Sequence, residues 1–337
     1  MAEEKSAQGQ APFEKFIELR MGFLVSRALH VAAELGVADV LSDGPKTSDE
    51  IARATAAHAE SLYRLLRMLA GHGVFEEDAA RRFRLTSLGS LLRSDAFRDA
   101  ARFVDEADWA ACGDLLHSIK SGEAAFEHVH GVKMFEYLVA NPDANTRFDR
   151  VMANASLTEN AGVARAYNFG KFRRIVDVGG GRGGLIAEIL KTYPSARGVL
   201  FDQPQVVASP DLLTAAGVGD HCEIAAGNFF ESVPAGGDAY LLKRIIHDWN
   251  DDIAVGILRR CRNAAKGGGR VFVVDAVIAA GNSPDPAKDM DIRMMALLGG
   301  KERTEAEFKD LFARAGLKLN QVLATTSLMK IVEGEPR

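Results

Sequence analysis

Between Pro12 and about Leu92 apolar residues recur at helical spacing, and Leu62, Leu65, Leu66 and Leu69 stand three and four apart on one helix face. Gly71 and Gly73 end that helix, and two short runs, residues 74–77 and 82–85, flank the polar turn Asp78-Ala79-Ala80 as a small hairpin. Helices followed by a hairpin predict an N-terminal all-α domain of winged-helix type over residues 1–100. From about Asp95 to Gly170 the spacing is again helical, with Gly122, Gly131 and Asn141-Pro142 between segments, which predicts a helical connector over residues 101–170.

After Arg174 the period shortens. β-Rich runs at residues 174–178, 198–202, 222–226, 239–242 and 270–277 alternate with helical stretches, the pattern of a parallel doubly wound sheet. Two last runs, 317–324 and 327–332, are joined by a short turn and predict an antiparallel pair. Residues 171–337 thus predict an α/β, Rossmann-like domain.

A chain of 337 residues with 47% hydrophobic and 26% charged positions suits a small domain plus a larger one, each with a real core. Forty-one Lys and Arg against 46 Asp and Glu give a net charge of −5, so no basic excess exists to hold a nucleic-acid backbone. The winged-helix arginines, Arg64, Arg67, Arg81, Arg82 and Arg84, are interleaved with acids and read as a solvated face, not a DNA-reading one. Cys112, Cys222 and Cys261 have neither zinc spacing nor an even count, as expected of buried thiols in a reducing compartment. The N-terminus is polar and no run approaches the roughly 18 apolar residues of a membrane span, so the expected location is the cytoplasm, with no membrane partner.

The strongest chemical signal is Ile175-Val176-Asp177-Val178 running into Gly179-Gly180-Gly181-Arg182-Gly183-Gly184. Glycines there remove Cβ atoms, so main-chain N–H groups and a helix N-terminus can approach a cofactor. Gly179, Gly181 and Gly184 also satisfy G-x-G-x-x-G, which alone is weak evidence. Asp202 ends the second strand about twenty residues later, where a carboxylate can accept both hydroxyls of a ribose. NAD and S-adenosylmethionine both present that ribose, so these residues leave the two cofactors open. Asn228 and Phe229 follow the third strand, and Lys243 and His247 the fourth, so all four are expected at one cleft beyond the carboxyl ends of the strands.

These blocks, with Leu35-Gly36-Val37-Ala38-Asp39-Val40-Leu41, Phe148-Asp149-Arg150-Val151-Met152, Phe201-Asp202-Gln203-Pro204, Lys-x-x-x-His-Asp-Trp from Lys243, and Lys301-Glu302-Arg303-Thr304, resemble the caffeate-type and bacterial natural-product small-molecule O-methyltransferases over nearly the whole chain. The resemblance implies S-adenosylmethionine as cofactor, a small aromatic acceptor, and an N-terminal domain that makes a homodimer. It implies that Asp177, Gly179, Gly181, Asp202, Gln203, Asn228, Phe229, Lys243 and Trp249 hold the cofactor. Met152, Met294, Met295, Leu298 and Asp248 would meet the acceptor, although helical core packing fits the apolar four equally. His247 would be the general base, oriented by Asp275 and Glu302, with no metal. Two positions depart from the family's usual residues: Asn228 stands in place of Asp, and Asp275 in place of Glu.

A histidine suits that role, because a phenol with a pKa near 10 is mostly protonated at neutral pH while imidazole, near 6.5, can accept its proton. Competing readings are a surface histidine and a surface Glu302; the same fold and cofactor used for N- or C-methylation, hydroxylation or cyclisation; a ligand-sensing DNA-binding regulator; and an NAD-dependent dehydrogenase.

Overall fold

The computed structural model describes residues 2–103, 106–208 and 210–337, which form two compact units, Met1–Asp105 with Thr146–Val151 and Glu106–Asn145 with Met152–Arg337. The stretch expected as a separate connector is divided between them. Its helices Glu106–Gly113 and Ala125–His130 pack on the helix Pro286–Leu298 of the second unit, because each is too short to bury its apolar face alone.

In the first unit the helix Ala2–Glu34 precedes Val37–Val40, Ser48–Thr55 and Ala59–Gly71. Ser48–Thr55 opens with a capping box, in which the Thr47 hydroxyl accepts the Glu50 N–H and the Glu50 carboxylate accepts the Thr47 N–H. Leu62, Leu66 and Leu69 are buried in one cluster with Phe75 and Phe83. The unit is not all-helical. Strands β1 (Lys46–Thr47), β2 (Phe75–Glu77) and β3 (Arg82–Leu85) form an antiparallel sheet in the order β1-β3-β2. The hairpin turns on Asp78, whose Oδ1 accepts the N–H groups of Ala80 and Arg82. β1 has two residues, too few for alternation to reveal it.

The second unit is built on β4 (Arg174–Val178), β5 (Arg197–Asp202), β6 (Cys222–Ala226), β7 (Ala239–Lys243), β8 (Arg270–Ile278), β9 (Arg303–Thr304), β10 (Leu317–Ala324) and β11 (Met329–Pro336). Their order is β10-β11-β8-β7-β4-β5-β6, with β9 paired to β8 off that path. β8, β7, β4, β5 and β6 run parallel, and β11 is antiparallel to both β8 and β10. β11 begins two residues later than the apolar run suggests, because the Thr325 and Ser327 hydroxyls bond the N–H groups of Ser327 and Met329 and make the turn.

The period of two divides side chains between the sheet faces. Ile175, Leu241, Phe272 and Val274 join one core cluster, and Val176, Val178, Tyr240, Leu242, Val271 and Val273 join the other. Asp177 and Lys243 therefore fall on the first face and Asp275 on the second. β4 pairs with β5 on one side and β7 on the other, so winding reverses there and opens a crevice beyond Val178 and Lys243. Among the described residues, no helix is long and apolar enough to cross a membrane.

Candidate active site

At the end of β4 the chain turns on Gly179 and Gly181, with φ of 69° and 59°, into the helix Gly184–Thr192. A Cβ on Gly179 would stand 2.4 Å from Ile245 Cδ1, whereas one on Gly181 would meet nothing within 4 Å and faces open space. Asp202 is tied to this loop: its Oδ2 accepts the Gly181 N–H at 2.9 Å and its Oδ1 the Gln203 N–H at 2.7 Å. Arg182, the loop's own cation, is bonded to Asp211. Beneath the loop Asp177 is buried, its Oδ2 has no hydrogen-bond partner, and burial raises its pKa to about 7 against the opposing charge of Lys243.

Lys243 reaches back to the helix Pro142–Ala166, where its Nζ bonds Asn160 Oδ1 at 2.7 Å and Ser156 Oγ at 3.0 Å and pairs with Glu159. Arg244, next in sequence, takes the left-handed φ of 54° and grips the same buried Glu159. Met152 is one turn before Ser156 and so shares its helix face. On the other side of the crevice Phe229 lies 3.7 Å from the position a Gly179 Cβ would take, and Phe229, Phe230 and Trp249 stack edge to face. The Trp249 Nε1 is buried without a partner. Asn228 closes its own turn, with Oδ1 accepting the Phe230 N–H at 3.0 Å and Nδ2 donating to Glu231 at 3.1 Å. That oxygen retains one lone pair.

His247 sits in the short 3₁₀ turn Ile246–Asp248 and is 5% exposed. Its Nδ1 is 2.6 Å from Oε1 of Glu302, which is 1% exposed, so neither group is a surface residue. Its Nε2 is 3.4 Å from Asp248 Oδ1. Asp275 is fully buried on β8, but both its oxygens lack hydrogen-bond partners; the side chain, one methylene shorter than Glu, acts on His247 through its charge and not through contact. Burial alone would lower the His247 pKa, yet Asp275, the Glu302 bond and Asp248 together raise it to about 9. Burial raises the carboxyl pKa of Asp248 to about 6 and lifts that of Asp275 as well.

Met294, Met295 and Leu298 lie on the helix Pro286–Leu298, which packs against the His247 turn and runs through Gly299 and Gly300 into Glu302. Sequence reasoning missed Ser156, Glu159, Asn160, Arg244 and Arg303. Only the last two lie inside a recognised block; the others are on a helix more than eighty residues from their partners. It also missed Asp114, His117 and His128, whose ligand atoms gather within 4.8 Å. The two imidazoles are stacked 3.9 Å apart and 6° from parallel, with His128 Nδ1 on Asp114 Oδ2. His117 shares no hydrogen bond with either of the other two, and its Nε2 is buried without a hydrogen-bond partner.

A glycine-rich first turn, an acid ending the next strand and a buried histidine among carboxylates define a nucleoside-cofactor fold with an acid–base cluster beside it. Residues 109–318 match the O-methyltransferase domain and residues 17–95 the O-methyltransferase dimerisation domain. The chain is 41% identical to a phenazine O-methyltransferase of Lysobacter antibioticus, over 99% of each sequence. The solved structure of a mitomycin 7-O-methyltransferase is 38% identical and superposes with a TM-score of 0.90, covering 98% of this chain and 100% of that one. A neocarzinostatin-biosynthesis O-methyltransferase, solved with S-adenosylmethionine and 2-hydroxy-5-methyl naphthoic acid, is 35% identical with a TM-score of 0.80, covering 93% and 96%. The chain belongs to the O-methyltransferase family, whose members use S-adenosylmethionine. The residues present fit that cofactor: the open face at Gly181, the oriented Asp202 carboxylate, and the unpartnered Asp177 Oδ2 and Trp249 Nε1 together offer a polar ligand both room and partners.

Proposed function

We propose that this protein methylates a hydroxyl of a small aromatic acceptor, phenolic or polyketide-like, with His247 as general base. The carrying observation is the 2.6 Å bond from His247 Nδ1 to buried Glu302, which leaves Nε2 as the nitrogen that takes the acceptor's proton. Asp177, Gly179, Gly181, Asp202, Gln203, Asn228, Phe229, Lys243 and Trp249 hold the cofactor, which supplies a sulfonium-activated methyl group. Met152, Met294, Met295, Leu298 and Asp248 position the acceptor. Once protonated, the imidazolium is stabilised by Glu302, Asp248 and Asp275.

The raised basicity has a chemical use. With a pKa of about 9, His247 stands within about one unit of a phenol near 10, so proton transfer is nearly thermoneutral. The cost is a small neutral fraction at pH 7. kcat/KM is therefore expected to rise about tenfold per pH unit through neutrality. Asp275→Asn removes a negative charge that favours imidazolium, lowers the base's pKa, and moves the break to lower pH. A pH–rate profile unmoved by that substitution would count against the through-space role of Asp275.

The reading is tested by calorimetry with S-adenosylhomocysteine and NADH, followed by incubation with S-adenosylmethionine and hydroxylated phenazines, naphthoates and benzoates. Binding of the first ligand alone and formation of a methyl ether are expected. Binding of NADH alone, or methylation confined to nitrogen, would overturn it. The protein also forms a homodimer in this reading, supported by the matched dimerisation domain and by exposed Phe16, Leu19 and Phe23 on the first helix. Sedimentation equilibrium is expected to give twice the chain mass.

A further inference from the structure

We infer that Arg303 is a positioning residue for the base: its guanidinium fixes the His247 turn and the Glu302 segment as one body, and its backbone ties that body to the β8 edge. The inference rests on the proposed role of His247. Arg303 is 1% exposed, and each of its five N–H donors has an acceptor. Nη1 bonds the carbonyls of Ile246 and Lys301, both at 3.1 Å; Nη2 bonds the Trp249 carbonyl at 2.9 Å and Asp251 Oδ1 at 2.7 Å; and Nε bonds the same Oδ1 at 3.0 Å.

The acceptors explain the effect. Ile246 and Trp249 bracket His247 on both sides, and Lys301 immediately precedes Glu302, so one rigid fork holds both ends of the His247–Glu302 bond. The backbone of Arg303 pairs with Val277, two residues beyond Asp275 on β8. A second tie runs alongside, from the Lys301 N–H to the His247 carbonyl at 2.8 Å. Asp251 is itself steadied from outside by Arg314. Five oriented hydrogen bonds at one buried centre leave little freedom in the separation of His247 and Glu302, and an error of about 1 Å there can cost on the order of a hundredfold in rate.

Arg303→Lys is the informative variant, because it keeps the charge and removes the fork. A single ammonium has three donors and cannot span three carbonyls and a carboxylate. The groups facing His247 are Asp248, Asp275 and Glu302, with Arg244 and Arg303 beside the carboxylates, so the variant leaves every formal charge in place. The readout is the titration of the His247 ring nitrogens by NMR on histidine-labelled protein, assigned by loss of the signal in His247→Gln. In the parent protein the ring should titrate near 9, and in Arg303→Lys it should move down by a unit or more, with kcat about a hundredfold lower and S-adenosylhomocysteine affinity within about threefold. Asp251→Asn, at a half-exposed position, loosens the fork from outside and should move both readouts in the same direction by less; it serves if Arg303→Lys does not fold. An unchanged titration and unchanged kcat in the folded variants would overturn the inference. A parent protein that titrates as described yet transfers no methyl group would instead overturn the role of His247 and leave the clamp standing.

Discussion

His247→Gln is expected to lower kcat by a factor of roughly 10²–10⁴, the usual contribution of a general base, while S-adenosylhomocysteine binds within about threefold of the parent protein. Glutamine can still donate an amide N–H to Glu302, so the buried carboxylate keeps a partner and the variant should fold. What it cannot do is hold a proton. Single-turnover methyl transfer gives the chemical rate and calorimetry gives the affinity; a loss below about threefold in the first would reject proton abstraction by this residue.

Gly300→Ala is the second large effect. A Cβ there would lie 2.2 Å from the His247 carbonyl oxygen and 3.0–3.1 Å from the Asp248 backbone, and none of these atoms can swing aside as a side-chain tip can. The same carbonyl accepts the Lys301 N–H, so relief must separate the segment carrying Glu302 from the turn carrying His247. The expected result is a kcat lower by on the order of a hundredfold, with a stability loss of about 1–3 kcal/mol in urea unfolding and cofactor affinity preserved. A variant with parental kcat would show that the two segments move independently.

The centre of the sheet was legible because its strands are buried on both faces and bounded by glycine and polar turns, so residues 174–178 and 239–242 needed no partner to be read. β1 and β9 were not legible: two residues cannot show a period. The division of the chain at 146–151 depends on which unit a stretch in the N-terminal half of one continuous helix packs against, and helical spacing carries no such information. In the site, the glycine loop and Asp202 are local in sequence and were readable. Glu302 looks like a surface acid in a charged stretch until the fold carries it across 55 residues to His247. Asp275 was legible as a position, but its reach was not, since only coordinates reveal that both oxygens stop short of a partner.

The pairing of Arg182 with Asp211 bears on which nucleosides can enter. A dinucleotide brings a diphosphate to the first glycine turn, where free backbone N–H groups at the helix N-terminus bind it and a cationic side chain strengthens the contact. In this loop the arginine already has its counter-ion, while the carboxylates of Asp177 and Asp202 lie under and beside the turn. With that cation paired and the Gly181 N–H already taken by Asp202, the turn has fewer free donors for a diphosphate than its glycines alone would offer, which disfavours phosphorylated cofactors relative to a ligand that brings hydroxyls to Asp202.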